Sequence, residues 1–139
     1  MKQFKKNKSI AKIKVEADFQ RRAAAAGISP EVMHVDTDNK RIFMEPMRAR
    51  IVDVLNSGTK RFSSDLRHIM NTLDEIGILH NDGNVLNLML NDQEELRILD
   101  FGLAKKIDTK VLKKWKNHPN IEVTLHMLKK GLRKYNILI

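Results

Sequence analysis

Apolar and polar positions along the chain change period several times, and each change predicts an element. Ser9 can cap a first helix running to about Ala26, and Gly27 followed by Ile28-Ser29-Pro30 stops it. Glu31–Asp36 (EVMHVD) then alternates at period two, and the polar turn Thr37–Lys40 leads into Arg41–Glu45 (RIFME), which predicts a β-hairpin. Pro46 ends the second strand because proline has no N–H for a ladder. A short helix is expected over about Met47–Asn56, broken at Ser57-Gly58, and a longer one over about Ser63–Ile76. In the longer helix Leu66, Ile69, Met70, Leu73 and Ile76 recur at helical spacing as a buried stripe, and Gly77 terminates it. A short strand around Leu88–Leu90, a turn at Asn91–Glu95 and a strand at Leu96–Asp100 come next. Beyond them Asp108 can cap a helix with Val111, Leu112 and Trp115 on one face. Asn120 can cap another, with Ile121, Leu125, Leu128 and Leu132 inward. The class is α+β, with an early hairpin and a mostly helical second half.

Composition sets the bounds. The chain has 139 residues, enough for one domain, and 42% hydrophobic with 31% charged residues reads as globular. No uncharged apolar run reaches membrane-spanning length, and the basic N-terminus lacks the apolar core of a secretory signal. The absence of cysteine rules out disulfides, thiolate catalysis and cysteine-bound zinc. It fits an intracellular protein of cytoplasm or nucleus, or of a host cell if the chain is viral. The net charge of +9 gathers at both ends, six lysines between Lys2 and Lys14 and ten Lys/Arg between Lys105 and Lys134. Such a balance favours phosphates, nucleic acid or an acidic protein as partner, although solvated surface alone accounts for much of it.

The stretch Ile78–Leu90 (ILHNDGNVLNLML) sets His80, Asp82 and three asparagines in an apolar run, where an unpaired buried polar group costs about 1–3 kcal/mol. Asp100 follows Asn87 at the end of a strand and is itself followed by Phe101-Gly102. Carboxylates and a carboxamide on loops between short strands form a hard-oxygen set suited to Mg²⁺ and phosphate oxygens. A further carboxylate not needed by the metal can orient a hydroxyl and take its proton. Together these are the parts of a phosphoryl-transfer site. The bland alternative is that Asp82, Asn87 and Asp100 only form Asx turns.

HNDGNVLN resembles the catalytic loop of protein kinases (H-R-D-L-x-x-x-N), and LDFG resembles their D-F-G motif, in the right order behind an amphipathic helix. The resemblance covers roughly residues 10–107. It implies a protein kinase-like fold with a partial small lobe over about 1–46 and a reduced, mostly helical large lobe over about 47–139, together one domain. It implies ATP and Mg²⁺ as cofactors, Asp82 as catalytic base and Asn87 and Asp100 as metal ligands. His80, Phe101 and Gly102 would be structural, with His80 tying the loop to D-F-G and Phe101 lying under the first helix. In that helix Glu16 would pair with the nucleotide-binding lysine, for which Lys2 in the strand-like MKQF is the first candidate and Lys5 or Lys6 the others. Met44 would be the gatekeeper, with backbone groups of Glu45 and Met47 facing adenine. The AAAAGISPEV stretch and the lack of an A-P-E motif resemble compact lineages such as the RIO kinases, the KEOPS-type kinases and small kinase-like proteins of large DNA viruses.

The sequence also departs from the family pattern. It has no glycine-rich loop, Asn81 stands where many members have arginine, and Asn84 stands where a lysine often neutralises the γ-phosphate. The 37 residues after Gly102 are too few for a full peptide-docking lobe, and missing first strands would leave sheet edges open to self-association. The expected function is an ATP/Mg-dependent Ser/Thr protein kinase-like phosphotransferase acting on a protein substrate. One alternative is a degenerate kinase-like module that docks on a kinase or its substrate. A nucleic-acid-binding basic domain is a third reading, weakened by 5% aromatics. No membrane partner is expected.

Overall fold

The computed structural model describes residues 1–54 and 59–135, with side chains in the second stretch from Phe62 onward. Strand β1 (Lys2–Gln3) precedes helix α1 (Ile10–Ala25), which is capped by Ser9, whose Oγ accepts the Lys12 N–H at 3.2 Å. Gly27 closes α1 at a φ of +78°, a value that costs glycine nothing. The hairpin forms as β2 (Val32–Asp36) and β3 (Arg41–Met44), antiparallel, with a bulge between Val32 and His34. β1 pairs with the other edge of β3, aligning Lys2 with Ile42, so the sheet order is β1-β3-β2. Phe4, Ile13, Ala17 and Ile42 form a small core between this sheet and α1.

The short helix expected over Met47–Asn56 does not form. The chain instead makes β4 (Ala49–Arg50) and a single 3₁₀ turn at Ile51–Asp53; the last residues of that stretch and the Ser57-Gly58 break lie outside the described residues. The cause is non-local. The Arg48 N–H donates to Leu90 O at 2.7 Å, and β4 aligns Ala49 with Leu90, so a sheet partner takes the backbone groups a helix would have used. Helix α2 (Thr59–Glu75) carries the expected stripe, with Leu66, Ile69, Met70 and Leu73 buried. β5 (Ile78–Leu79), a strand the pattern did not announce, leads into the polar loop. A 3₁₀ turn (Val85–Asn87) then joins β6 (Leu88–Leu90), which pairs antiparallel with β7 (Leu96–Ile98). β7 ends two residues before the expected Asp100, which lies beyond the ladder at a φ of +62°.

After Gly102 come β8 (Lys105–Lys106), paired with β5, and α3 (Thr109–Lys114), capped by Asp108 as expected. Of the α3 face only Val111 is buried; Leu112 is 44% exposed, because a six-residue helix shows the core little more than one position. π-type turns at Asn120–Leu125 continue directly into α4 (His126–Lys134). Asn120 is not a cap: its side chain is fully buried and engaged elsewhere. The main core joins α2, β5–β7 and Leu125, Leu128 and Leu132, and Phe19, Ala23 and Phe101 reach into it from α1 and the D-F-G segment. Among the described residues no helix is long and apolar enough to cross a membrane.

Leu73 is fully buried in the main core, so Leu73→Ala should cost about 3 kcal/mol in urea unfolding. Leu112→Ala should change stability by no more than about 0.5 kcal/mol, and equal losses would refute this placement of the core.

Candidate active site

Three segments distant in sequence meet at one ammonium group. Lys2 Nζ donates to Glu16 Oε2 at 2.6 Å and to Asp100 Oδ1 at 2.9 Å, joining β1, α1 and the segment after β7. Lys2 is thus the lysine the structure places here, rather than Lys5 or Lys6, both of which are exposed. Glu16 lies in the buried stripe of α1 and is 3% exposed, and its Oε1 has no hydrogen-bond partner. Burial acts against the Lys2 ammonium, but its hydrogen bonds to the two carboxylates outweigh that and raise its pKa above the ordinary lysine value. Burial likewise pushes the Glu16 carboxyl up, against the pull of Lys2. At Asp100 burial is more than offset by Lys2 and by the Gly102 N–H, and the carboxyl is held below its ordinary value.

A cavity of about 490 Å³ opens beside this triad. Lys2, Asn87 and Asp100 line one end, and Met44, Glu45 and Met47 line the stretch between β3 and β4. Met1, Leu86, Met89 and Leu99 complete an apolar, methionine-rich wall. The Glu45 N–H is committed to Glu31 O at 2.9 Å, so it does not serve the cavity. Behind Met44, the buried Gln20 side chain donates to Pro30 O at 2.9 Å and approaches the Met44 sulfur at 3.6 Å. Glu16 stands outside this cavity, on the far side of Lys2, and Asp82 does not line it.

The polar loop is built on hydrogen bonds rather than on packing. His80 is fully buried; its Nε2 lies 2.9 Å from Leu99 O, its Nδ1 receives the Asp82 N–H at 3.3 Å, and its ring meets Phe101 edge-on at 4.9 Å. Burial lowers its pKa, so the ring is neutral near pH 7, with Nε2–H donating and Nδ1 accepting. Asp82 Oδ1 accepts the Asn84 N–H at 3.1 Å, and Asn84 Oδ1 accepts that of Leu86 at 3.0 Å, so the Asx turns are real. They occupy one oxygen of Asp82 and leave the other for different work. Asn81 and Asp100 both adopt left-handed φ values, +66° and +62°, conformations that collect at functional sites.

The expectations missed what holds this loop from behind. Asn120 Oδ1 accepts the His80 N–H at 3.0 Å, while its Nδ2 donates to Ile78 O and to Asp74 Oδ1, both at 2.7 Å. Thr124 Oγ1, one turn on, accepts the Asn81 N–H at 3.1 Å. The fit is close: a Cβ on Gly83 would fall 2.0 Å from Met127 Cβ, and one on Gly131 2.7 Å from Val85. The only signal in the sequence was Asn120 and Thr124 sitting among residues whose spacing points inward.

Asn87 and Asp100 suit a magnesium ion. They offer a carboxamide oxygen and a carboxylate at one end of the cavity. Among the described residues no three His, Cys, Asp or Glu gather to hold a metal.

These elements define a protein kinase-like fold. No protein-family model matches the chain, and no curated protein matches it. Among solved structures it is similar to the Rio2 kinase of Chaetomium thermophilum, described as an ADP/Mg²⁺-phosphoaspartate complex, with a TM-score of 0.68 at 15% identity. The match covers 98% of this chain and 44% of that one, so the chain spans less than half the length of the kinase it resembles.

Two measurements test this geometry. Asn120→Ala should strand the His80 N–H and Ile78 O, cost about 3 kcal/mol, and speed hydrogen exchange at His80 and Asn81 ahead of α2; exchange that rises evenly would refute the assignment. Asp100, with its lowered pKa, contributes stability above the ordinary carboxylate range that is lost as pH falls through it. Lys2, with its raised pKa, keeps its contribution until pH passes above the ordinary lysine value. Lys2→Met should therefore destabilise strongly at pH 7, where two carboxylates lose their cation, and much less below about pH 4. A gap that does not change with pH would mean that Lys2 acts through packing alone.

Proposed function

We propose that the chain is an ATP- and Mg²⁺-dependent phosphotransferase acting on serine or threonine hydroxyls of a protein substrate. The observation that carries this reading is the Lys2 ammonium shared between Glu16 and Asp100 at the mouth of a cavity that Asn87, Met44 and Met47 also line. The similarity to the Rio2 kinase, described as an ADP/Mg²⁺-phosphoaspartate complex, supports the use of a nucleotide and Mg²⁺.

In this reading adenine lies against the methionine wall, and the phosphates point toward Lys2 and Asp100. Asn87 and Asp100 would hold Mg²⁺, which when bound would supply positive charge against the phosphate oxygens. Glu16 holds the Lys2 ammonium in place, so that a positive charge faces the phosphates without reorganising. Asp82 accepts the proton of the acceptor hydroxyl as its oxygen bonds to the γ-phosphorus and the bond to the ADP oxygen breaks. His80 takes no proton; it fixes the Asp82 backbone against Leu99.

A second reading, a kinase-like module that docks on a kinase or its substrate without chemistry, is favoured by the absence of a glycine-rich stretch in the sequence. One pair of assays separates the two. With millimolar ATP and Mg²⁺ the melting temperature should rise by about 5 °C, and Asp100→Ala should abolish the rise. Asp82→Asn should keep the rise while losing phosphate transfer from labelled ATP. No rise in the wild-type chain would end the nucleotide reading, and a rise without transfer would overturn the phosphotransferase reading in favour of a module that acts without chemistry.

A further inference from the structure

A second cavity, of about 500 Å³, lies on the opposite side of the Lys2–Glu16–Asp100 triad from the nucleotide cavity. One wall is the outer face of α1, with Lys12 and Val15; the other is Gly102-Leu103-Ala104, and Lys8 stands at its rim. Small residues make the room, since Ala11, Gly102 and Ala104 face one another where larger side chains would fill it. A Cβ on Gly102 would fall 3.0 Å from Glu16 Oε1.

Three independent features of this groove point to an occupant. Val15 and Leu103, on its two walls, are 54% and 59% exposed. Its floor holds Glu16 Oε1, a buried carboxylate oxygen with no hydrogen-bond donor, on a residue 3% exposed. Such a vacancy is costly, and a ligand N–H or hydroxyl would fill it. Its rim is cationic: Lys8 and Lys12 line it, Lys14 is exposed on the same helix, and Lys8 is near enough for its charge to act on Glu16.

We propose that this groove is a docking site for an acidic segment of a partner protein. A large apolar side chain of that segment sits between Val15 and Leu103, a donor group reaches Glu16 Oε1, and flanking carboxylates meet Lys8 and Lys12. A basic partner would face uncompensated lysines, and a purely apolar one would leave Glu16 unpaired. The consequence lies in the shared wall. Glu16 floors this groove and also holds Lys2, which lines the nucleotide cavity, so the bound segment biases the same triad that faces the phosphates. By linkage, segment and nucleotide each change the affinity of the other by the same factor. That last clause rests on the nucleotide reading; the docking itself does not.

The test uses a fluorescein-labelled ten-residue peptide alternating aspartate with phenylalanine and leucine, and a control with lysine replacing every aspartate. Anisotropy is read on the whole chain without nucleotide. The acidic peptide should bind and the lysine peptide should not. Leu103→Asp should weaken binding at least tenfold, and Lys8→Glu/Lys12→Glu should reverse the preference so that the lysine peptide binds instead. These positions are exposed or half-buried, and each variant's melting curve shows whether it is folded. No binding of the acidic peptide, equal binding of both peptides, or binding untouched by the variants would overturn the proposal. Repeating the titration with saturating ATP and Mg²⁺ reads the coupling. Peptide affinity that stays the same while the nucleotide-induced melting shift is present would sink the coupling alone, and absence of that shift would instead sink the nucleotide reading.

Discussion

One ammonium group shared by two carboxylates governs the arrangement of everything around it. Taking charges out of water is costly, and Glu16 lies almost wholly inside the protein. It can stay there as a carboxylate only because Lys2 reaches it, and Lys2 is brought there by pairing with β3. Asp100 completes the set from the other half of the chain. The small sheet, the first helix and the D-F-G segment are therefore held in register by electrostatics as well as by the modest core of Phe4, Ile13, Ala17 and Ile42. A pair of unlike charges would have been enough for stability alone. A cation between two carboxylates also leaves net negative charge beside a cavity.

The polar loop solves the same problem with neutral groups. His80 and Ile78 are fully buried and Asn81 is half-buried, and one carboxamide and one hydroxyl satisfy their backbone groups. The π-type turns at Asn120–Leu125 bring Asn120 and Thr124 to the same side, beneath the loop, where the Thr124 hydroxyl also donates to Asn120 Oδ1. Widened helical turns of this kind are frequent at functional sites. Rigidity of the Asp82 loop thus originates some forty residues further along the chain, and Gly83 permits it by letting Met127 approach.

What was legible in the sequence was whatever local rules decide. The α2 stripe, the β2–β3 hairpin and the Ser9 and Asp108 caps depend on neighbours within a few residues, and they formed as the pattern indicated. The Met47–Asn56 stretch misled because Met47, Ile51 and Val54 fall at helical spacing while the backbone is taken by β6. Asn120 misled for a related reason: an asparagine ahead of an apolar run reads as a cap, but burial turned it inward to partners on β5 and α2. The candidate site was legible through HNDGNVLN and LDFG, whose residues do surround one cavity or its supports. Gln20, Thr124 and Asp74 were not, because their partners lie between 10 and 46 residues away and nothing near them in sequence marks the meeting.

The distance along the chain between Lys2 and Asp100, 98 residues, also dictates a timetable. Closing so long a loop is among the slower events of folding, and contacts of this span are won only after nearer ones are in place. During synthesis the lysine leaves the ribosome 98 residues ahead of its second carboxylate. The hairpin and α1 can form early, but the Lys2–Glu16–Asp100 set cannot. The set of three charges is complete only once Asp100 arrives, and a chain caught part-way would hold Glu16 and its lysine without it.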